Sequence, residues 1–449
     1  MELYYQNIFD FFEDQQIFTN LVLHLEMLKH KEKIHQFNSL TQNHELTLDD
    51  FSNKNENFQN VLKLISIQRE LIEQKLKETQ KRKINLKITE FEKRFDLCDT
   101  ETALILFCIT VQKNPGHLRV IRALTENSAN SYATVDLLKS IIFHSLEPGN
   151  AGFNYLSGED RLLKYRLLET VNSRNDNSHA VFGSDQIKVP DRILNFIFEK
   201  DFISYEISGL INGYPGAHSF EEILVNEDVF TSVKNLLNHK KHETEKNSGN
   251  FIFYFKGAQG SGKKSTALKI CRELKIPLLS INFKEIIYSG YSIKKIMELL
   301  LRECILTKCA IYFSGIEYLY KENISVHHLM EFKSELHQNK YMIFIGSREK
   351  IELKREFPEK DFFQWIFYNP GYEKRKKFWK YFIKNYKINP EVDISHVANK
   401  YQLNGGQIQN AVKEAHKLSL ISESSEIKIE PDNLITSCKA QSHHKLNEL

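Results

Sequence analysis

The chain has 449 residues, of which 41% are hydrophobic and 27% are charged, and its formal net charge is only +3. That length predicts about two to four domains, and the composition is ordinary for a globular protein. The nearly neutral charge gives no reason to expect bulk attraction to nucleic acid. No apolar run approaches the roughly eighteen residues of a membrane span. The acidic start, MELYYQNIFDFFEDQQ, does not resemble a secretory signal, so we expect a cytoplasmic protein with no membrane insertion.

Residues 1–90 read as a helical N-terminal segment. The stretches IFDFFEDQQIFTNLVLHLEMLKH and NVLKLISIQRELIEQKLKETQKRK each place apolar residues at helical spacing. The basic end of the second stretch suits the C-terminus of a helix, so it needs no nucleic acid to explain it. The six cysteines include no C-x-x-C pair. We therefore expect reduced thiols, buried as small hydrophobic side chains.

Residues 91–210 differ from the first segment, because their pattern predicts short helices separated by turns. Asp99 and Thr100 are predicted to cap one helix and Thr134 is the predicted N-cap of another, while a third is predicted to start at Pro190, where a missing N–H costs little. A short strand, QIKV, precedes the last helix. Helices combined with short strands of this kind favour a winged-helix-like domain, although periodicity alone is also compatible with another small α-rich domain.

Residues 220–370 alternate apolar strands with helices, which predicts βαβ units and a parallel sheet. Residues 371–449 are helical again and form a predicted lid. The fold class is therefore multidomain α + α/β, with a helical and winged-helix-like N-terminal half. The predicted strands are FIFYF, IPLLSINF, CAIYFSG, YMIFIGS and the edge-like FFQWIFYNP.

A glycine-rich stretch, GAQGSGKKST, follows the first of these strands. Gly257, Gly262 and Lys263 match G-x-x-x-x-G-K-[ST], a loop in which backbone N–H groups at a helix N-terminus surround phosphate. The position that normally carries Ser or Thr is Lys264. Because a strand precedes the loop and a helix follows it, we predict a phosphate-binding loop. Its candidate nucleotide-binding residues are Gly257, Ala258, Gly260, Ser261, Gly262, Lys263, Lys264 and Ser265.

Over about residues 220–440, the chain resembles the AAA ATPases. Four stretches carry the resemblance, in the order in which the family has them: the phosphate loop, the second nucleotide motif, the sensor 1 strand and the lid. The last three are CAIYFSGIEYL, YMIFIGSRE, and IFYNPGYEKRKKFWKYF with LNGGQIQNAVKEA. The resemblance implies a P-loop core with a small helical lid, ATP or ADP as ligand, a homo-oligomeric ring and a protein partner. Nucleic acid is not expected as a partner.

The N-terminal half carries a narrower resemblance. LKYRLLETV, followed by IKVPDRILNFIF, looks like the winged-helix module that precedes a AAA domain in a bacterial group. Members of that group are often linked to contractile injection systems, so the resemblance implies an injection-system component as partner.

Several positions depart from the AAA pattern together. In the family, a loop hydroxyl and an acid of the second motif hold Mg²⁺, and an adjacent Glu polarises the attacking water. In this chain Lys264 occupies the position of the hydroxyl residue, and Ser314 and Gly315 occupy the positions of the two acids. The sensor 1 Asn place falls on Ser347 or Arg348, and Gln409 lies near the sensor 2 place. These departures predict weak or lost hydrolysis.

A few residues near these places are candidates for the missing chemistry. Ser265 is the candidate metal ligand, although one step along a helix turns it about 100° from the usual hydroxyl. Glu317 is the candidate acid, and Arg348 or Arg355 the candidate arginine finger. Lys264 either neutralises phosphate in place of Mg²⁺ or extends into solvent, so the sequence leaves the requirement for Mg²⁺ open.

The leading interpretation is an ATP-binding, AAA-type switch or remodeller of a protein partner. A non-enzymatic scaffold and a winged-helix nucleic-acid remodeller are the alternatives. The nucleic-acid alternative depends on the stretch EKRKKFWKYFIKNYK. This stretch is either a nucleic-acid-binding patch or an amphipathic helix whose Phe378, Trp379 and Phe382 pack inward. Tyr214, Pro215 and Ile223 are the candidates for the adenine side.

Overall fold

The computed structural model describes most of the chain, in two compact units. Unit 1 comprises Met1–Ser208 and Lys294–Leu306, and unit 2 comprises Gly209–Ile293 and Thr307–Leu449. The described residues are 3–30, 58–146, 153–157, 160–171, 182–200, 203–211, 222–243, 251–321, 326–338, 341–357, 361–421 and 427–443. Within these ranges, no helix has both the length and the apolar character needed to cross a membrane.

Unit 1 is built largely of helices. The first is fixed by a capping box, in which the Asn7 side chain accepts from the backbone of Asp10 and the Asp10 carboxylate accepts from the backbone of Asn7. The helices are α1 (Ile8–Lys29), α2 (Phe58–Lys81), α3 (Lys87–Phe95), α4 (Asp99–Lys113), α5 (Pro115–Leu124), α6 (Val135–Ile141), α7 (Arg161–Lys164), α8 (Asp191–Ile197) and α9 (Tyr205–Ser208). A π-helical turn, Ile142–Leu146, continues α6.

A small antiparallel sheet completes the winged-helix-like part of unit 1. Its strands are β1 (Ala133–Thr134), β2 (Glu169–Thr170) and β3 (Gln186–Lys188), in the order β1-β3-β2. Thr134 ends β1 and caps α6 by accepting from the Leu137 N–H, as predicted. The polar stretch NSRNDNSHAVFGSD lies between β2 and β3, and its residues 172–181 are outside the described residues.

Unit 2 contains a five-stranded parallel sheet. Its strands are β4 (Phe251–Gly257), β5 (Leu278–Asn282), β6 (Ala310–Ser314), β7 (Ile343–Ser347) and β8 (Asp361–Phe367), in the order β5-β6-β7-β4-β8. Residues 251–255 of β4 are all buried, as expected of a strand covered on both faces. Each such large apolar side chain contributes about 1.5–3 kcal/mol by leaving water. The predicted edge strand is confirmed as β8.

Unit 2 also contains the helices beside the sheet and those of the lid. They are α10 (Glu227–Glu243), α11 (Lys263–Glu273), α12 (Phe283–Tyr288), α14 (Val326–Gln338), α15 (Tyr372–Ile383), α16 (Ile394–Lys400), α17 (Gly405–Ile421) and α18 (Pro431–His443). Between α12 and α14 the chain forms α13 (Ile293–Thr307). In α15, Phe378, Trp379 and Phe382 are buried in the lid core. The amphipathic interpretation of that basic stretch is therefore confirmed, and so is the multidomain α + α/β fold class.

Several local features differ from the sequence-based expectations. Cys98, not Asp99 or Thr100, caps α4, and its thiol is exposed, whereas the other five cysteines are buried. Cys98 escapes burial because it precedes the helix instead of lying on its apolar face. Helix α3 spans the predicted boundary at 90/91. Helices α5, α10, α12 and α18 were not predicted, because they are short or carry many polar residues.

Helix α13 belongs mostly to unit 1, although the strands before and after it belong to unit 2. Buried ion pairs hold it there. Arg192 on α8 makes two hydrogen bonds to the Glu303 carboxylate, at 2.8 and 2.7 Å, and both side chains are almost fully buried. Two further pairs join α13 to the segment 166–169, namely Arg166–Glu298 at 2.7 Å and Arg302–Glu169 at 3.8 Å. A segment distant in sequence thus balances the buried charges of unit 1.

Glu303→Gln removes the carboxylate charge that pairs with the buried Arg192 guanidinium. We expect the free energy of unfolding of unit 1 to fall by about 3–5 kcal/mol, the usual effect of breaking a buried pair from one side. Hydrogen exchange of peptides from α8, measured at a series of denaturant concentrations, gives this free energy of unfolding. The control is Glu78→Gln, which breaks an exposed bridge to Lys81 and should cost less than about 1 kcal/mol. Equal effects of the two substitutions would contradict a structural contribution of the buried pair.

Candidate functional site

The order of the strands places one crevice beside β4. From β4 the chain passes to β5 at one edge of the sheet, and after β7 it passes to β8 on the other side of β4. Ligands of open parallel sheets bind outside the carboxyl ends of the strands at such a reversal of strand order. The loop 257–262 leaves the carboxyl end of β4 and leads into α11, so it lies at this place.

The loop has its shape because glycines occupy left-handed positions. Gly260 has φ +81° and Gly262 has φ +94°, and a Cβ added at Gly262 would lie 2.0 Å from the carbonyl oxygen of Leu224. An L-residue at either position is strained. Gly262 is also the N-cap of α11. The loop is therefore wrapped around the positive end of a helix, the geometry that binds phosphate.

Lys263, the first residue of α11, places its ammonium inside the loop. The Nζ atom donates to the carbonyl oxygens of Gly257 and Ala258, at 2.5 and 2.8 Å, and the residue is only 8% exposed. Burial lowers the pKa of Lys263 to about 8, an effect opposed by the negative charge of Glu317 and strengthened by the positive charge of Arg348. The ammonium is therefore a poorly solvated cation that an anion would stabilise.

The two residues predicted to be catalytic pair with each other. Glu317 lies in the 3₁₀-helix Ile316–Tyr320 after β6, and its carboxylate accepts from Arg348 Nε at 2.8 Å and from the Arg348 backbone N–H at 3.4 Å. The hydroxyl of Ser347 lies 3.3 Å from the same carboxylate. Glu317 is thus a buried acid held by the last residue of β7 and the residue after it, and its charge acts on Lys263.

The two arginines predicted as fingers lie in different environments. Arg348 is bound to Glu317 of its own chain, with its side chain 32% exposed. Arg355 is 86% exposed and lies 3.7 Å from Glu352. Only Arg348 is therefore associated with the loop region of this chain.

The start of α11, where a metal ligand was predicted, carries a lysine and two hydroxyl side chains. Lys264 is half-buried, and burial lowers its pKa while the carboxylate of Glu285 on α12 opposes that shift. Ser265 follows it on α11 and is also half-buried. The next hydroxyl, that of Thr266, donates to the Gly262 carbonyl at 2.9 Å and accepts from the Asn226 N–H at 3.0 Å.

The backbone at the end of β6 does not suit a glutamate at position 315. The Ser314 hydroxyl donates to the Ile281 carbonyl at 3.1 Å. Gly315 has φ +73°, and a Cβ there would lie 2.9 Å from Asn282 Oδ1. A glutamate at this position would therefore be strained. In the described ranges, no group of three or more His, Cys, Asp or Glu side chains is placed to hold a metal ion.

Sequence reasoning missed the contact between the lid and the loop. Asn404, which precedes α17, donates through Nδ2 to the Gln259 carbonyl at 2.7 Å, and the Gly406 N–H donates to the Gly260 carbonyl at 2.9 Å. The only signal in the sequence was the Asn before the Gly-Gly pair, which reads equally as a helix cap. Gln409, near the sensor 2 place, is half-buried on α17.

The candidates for the adenine side are only partly described. Ile223 packs against the lid core. Tyr214 and Pro215 lie outside the described residues.

Three comparisons with known proteins bear on this arrangement. The family model "Winged helix domain, variant" matches residues 3–210, so the chain is similar to that family over most of unit 1. A solved structure described as "Structural Basis for Katanin Self-Assembly" is similar over 54% of this chain and 92% of the other, with 14% identity and a TM-score of 0.43. A likeness of that size does not transfer an activity. No curated protein matches the chain.

Gly315→Ala tests the strain at the end of β6. Left-handed backbone costs an L-residue about 1–2 kcal/mol, and the close approach to Asn282 adds to this. We therefore expect a fall of several degrees in the melting temperature of unit 2. The control is Gly371→Ala, because Gly371 has φ −66° and no atom within 4 Å of an added Cβ; its melting temperature should be unchanged or higher. An unchanged melting temperature for Gly315→Ala would contradict the structural explanation for the missing acid.

Proposed function

We propose that this chain is a AAA-type protein that binds ATP or ADP at the loop 257–265 and acts as a nucleotide-dependent switch or remodeller of a protein partner. Hydrolysis is weak or lost. The observation that carries the proposal is the buried ammonium of Lys263, enclosed by a glycine loop at the N-terminus of α11. The AAA resemblance of the sequence supplies the identity of the nucleotide.

The charges around the loop suit a polyphosphate. Lys263 and Lys264 are both partly desolvated cations at the start of α11, and the pKa of each is lowered by burial. An anion relieves that penalty, since an opposite charge favours the ammonium form. The backbone N–H groups at the start of α11 would bind phosphate oxygens, while Lys263 would exchange its carbonyl partners for phosphate.

The residues around the loop fit Mg²⁺ poorly. Mg²⁺ prefers carboxylate and other oxygen ligands in octahedral geometry. Here Lys264, a cation, replaces the usual hydroxyl residue, and the Glu317 carboxylate is already bound by Arg348. Ser265 is the remaining candidate among the predicted ligands. We therefore propose that the ammonium of Lys264, attracted by Glu285, takes over part of the charge neutralisation.

Weak hydrolysis follows from the same residues. A metal ion supplies several kcal/mol of transition-state stabilisation, and each ~1.4 kcal/mol is about a factor of ten in rate. With Ser314 and Gly315 in place of both acids, Glu317 is the one predicted acid near the loop. Its pairing with Arg348 leaves it poorly suited to activate water.

A homo-oligomeric ring and a protein partner, with an injection-system component as the specific candidate, complete the proposal. They rest on the two sequence resemblances. The match to a winged-helix family over 3–210 supports an N-terminal module of that type.

The binding proposal is tested by calorimetric titration of ATP with Mg²⁺ and with a chelator. We expect wild type to bind with affinities that differ less than about tenfold, that is ~1.4 kcal/mol, between the two conditions. Lys263→Ala should abolish binding. Lys284→Ala, which removes an exposed lysine at the start of α12, is the control and should bind like wild type.

Each alternative has its own outcome in this experiment. A much larger loss of affinity in chelator would show that Lys264 does not replace the metal. Turnover of bound ATP at an ordinary rate would contradict weak hydrolysis. No binding by wild type would favour the scaffold alternative.

The affinity should also depend on pH through Lys263, whose pKa in the free protein is about 8. Bound phosphate raises that pKa, so below about pH 7 the group is charged in both states and adds no pH dependence. Above pH 8 the free protein loses the proton and must regain it on binding, so affinity should fall by up to about tenfold per pH unit. Titrations in two buffers of different ionisation enthalpy, at pH 8.5, should show proton uptake. A flat profile in wild type between pH 7 and 9.5 would argue against a buried ammonium as the phosphate ligand.

A further inference from the structure

In the turn that begins α17, hydrogen bonds fix the orientation of one side chain, that of Asn404. Asn404 caps the helix, because its Oδ1 accepts from the Gln407 N–H at 3.1 Å. Gln407 returns the bond, since its Oε1 accepts from the Asn404 N–H at 3.0 Å. This reciprocal pair is a capping box. It fixes the orientation of the Asn404 amide and leaves its NH₂ group pointing away from the helix.

That NH₂ group is directed at the phosphate-binding loop. Nδ2 of Asn404 donates to the Gln259 carbonyl at 2.7 Å, and the residue is only 1% exposed. Beside it, the Gly406 N–H donates to the Gly260 carbonyl at 2.9 Å. The lid turn therefore binds two successive carbonyl groups of the loop, and one of these bonds uses a side chain that also caps the lid helix.

Glycines allow the turn and the loop to meet backbone to backbone. A Cβ on Gly406 would lie 2.6 Å from the Cα atom of Gly260, and a Cβ on Gly260 would lie 2.5 Å from Asn404 Oδ1. Both distances are shorter than real Cβ contacts. No side chain separates the two backbones where Gly406 meets Gly260, so a change in the direction of the Gly260 carbonyl would break that bond.

The direction of those carbonyls also sets the direction of the loop N–H groups. In a trans peptide, C=O and N–H point in opposite directions. With the Gln259 and Gly260 carbonyls turned to the lid, the Gly260 N–H faces the other side, and the Ser261 N–H turns into the loop, where it donates to Ala258 at 3.2 Å. N–H groups directed in this way are the ones that phosphate oxygens accept from in such loops.

We infer that Asn404 is a positioning residue that couples the lid turn to the loop: docking of the turn and binding of a polyphosphate in the loop stabilise each other. The inference rests on the proposed function. The two states differ in whether the Gln259 and Gly260 carbonyls are bound by the turn. Because such coupling is reciprocal, nucleotide should protect the docked turn by the same factor by which the turn improves nucleotide affinity.

The test combines ATP affinity by calorimetry with hydrogen exchange of the peptide that contains Gly406, with and without ATP, on the full chain. Asn404→Ser keeps a helix-capping oxygen but removes the NH₂ donor, and Asn404→Asp keeps the cap with a charged oxygen. We expect both variants to bind ATP roughly three- to tenfold more weakly, the worth of one hydrogen bond. In both, ATP should no longer slow exchange at Gly406.

The control for charge is Gln407→Glu. It adds a negative charge one turn away and keeps an oxygen for the Asn404 N–H, but it leaves the bond to Gln259 intact. It should retain ATP-dependent protection at Gly406. Because Asn404→Ser is neutral, a loss shared by the serine and aspartate variants cannot come from repulsion of phosphate.

Three outcomes are distinguishable. Weaker binding together with lost protection in both Asn404 variants supports the coupling. Wild-type affinity and protection in those variants overturn it while leaving the proposed function intact. If wild type binds no ATP, the proposed function fails and the coupling is overturned with it. Exchange at Gly406 without ligand then shows whether Asn404 holds the turn for structural reasons alone.

Discussion

The burial of one ammonium group constrains the whole candidate site. A cation removed from water must be compensated by hydrogen bonds or opposite charge, and Lys263 receives both from the carbonyls of Gly257 and Ala258 and from the field of Glu317. That arrangement requires a loop that folds back on its own helix, which in turn requires left-handed backbone at Gly260 and Gly262. The glycines, the helix terminus and the lysine are therefore one structural unit.

The acidic side of the site departs from the AAA pattern in a coordinated way. The backbone at the end of β6 is left-handed at Gly315, which disfavours the usual glutamate. The acid that is present, Glu317, lies two residues later and is bound by Arg348. The charge of Arg348 is therefore compensated within its own chain, and the Glu317 carboxylate is already engaged.

Charge compensation also organises unit 1. The buried Arg192 and the half-buried Arg166 of unit 1 are balanced by Glu303 and Glu298 of α13, a helix that follows β5 in the chain. Folding of unit 1 therefore depends on a segment whose neighbours in sequence belong to unit 2. A division drawn along the sequence does not reveal this dependence.

Periodicity and motif spacing by themselves predicted the strands of the sheet, several of the helices and the glycine-rich loop between β4 and α11, because these features depend on residues a few positions apart. Only the tertiary structure decided that Glu317 meets Arg348, 31 residues away, and that Asn404 meets Gln259, 145 residues away. Neither contact leaves a local pattern in the sequence. An asparagine that caps a helix looks the same in the sequence whether or not its amide also binds a distant loop. The placement of α13 was likewise set by packing between distant segments, which local propensity does not encode.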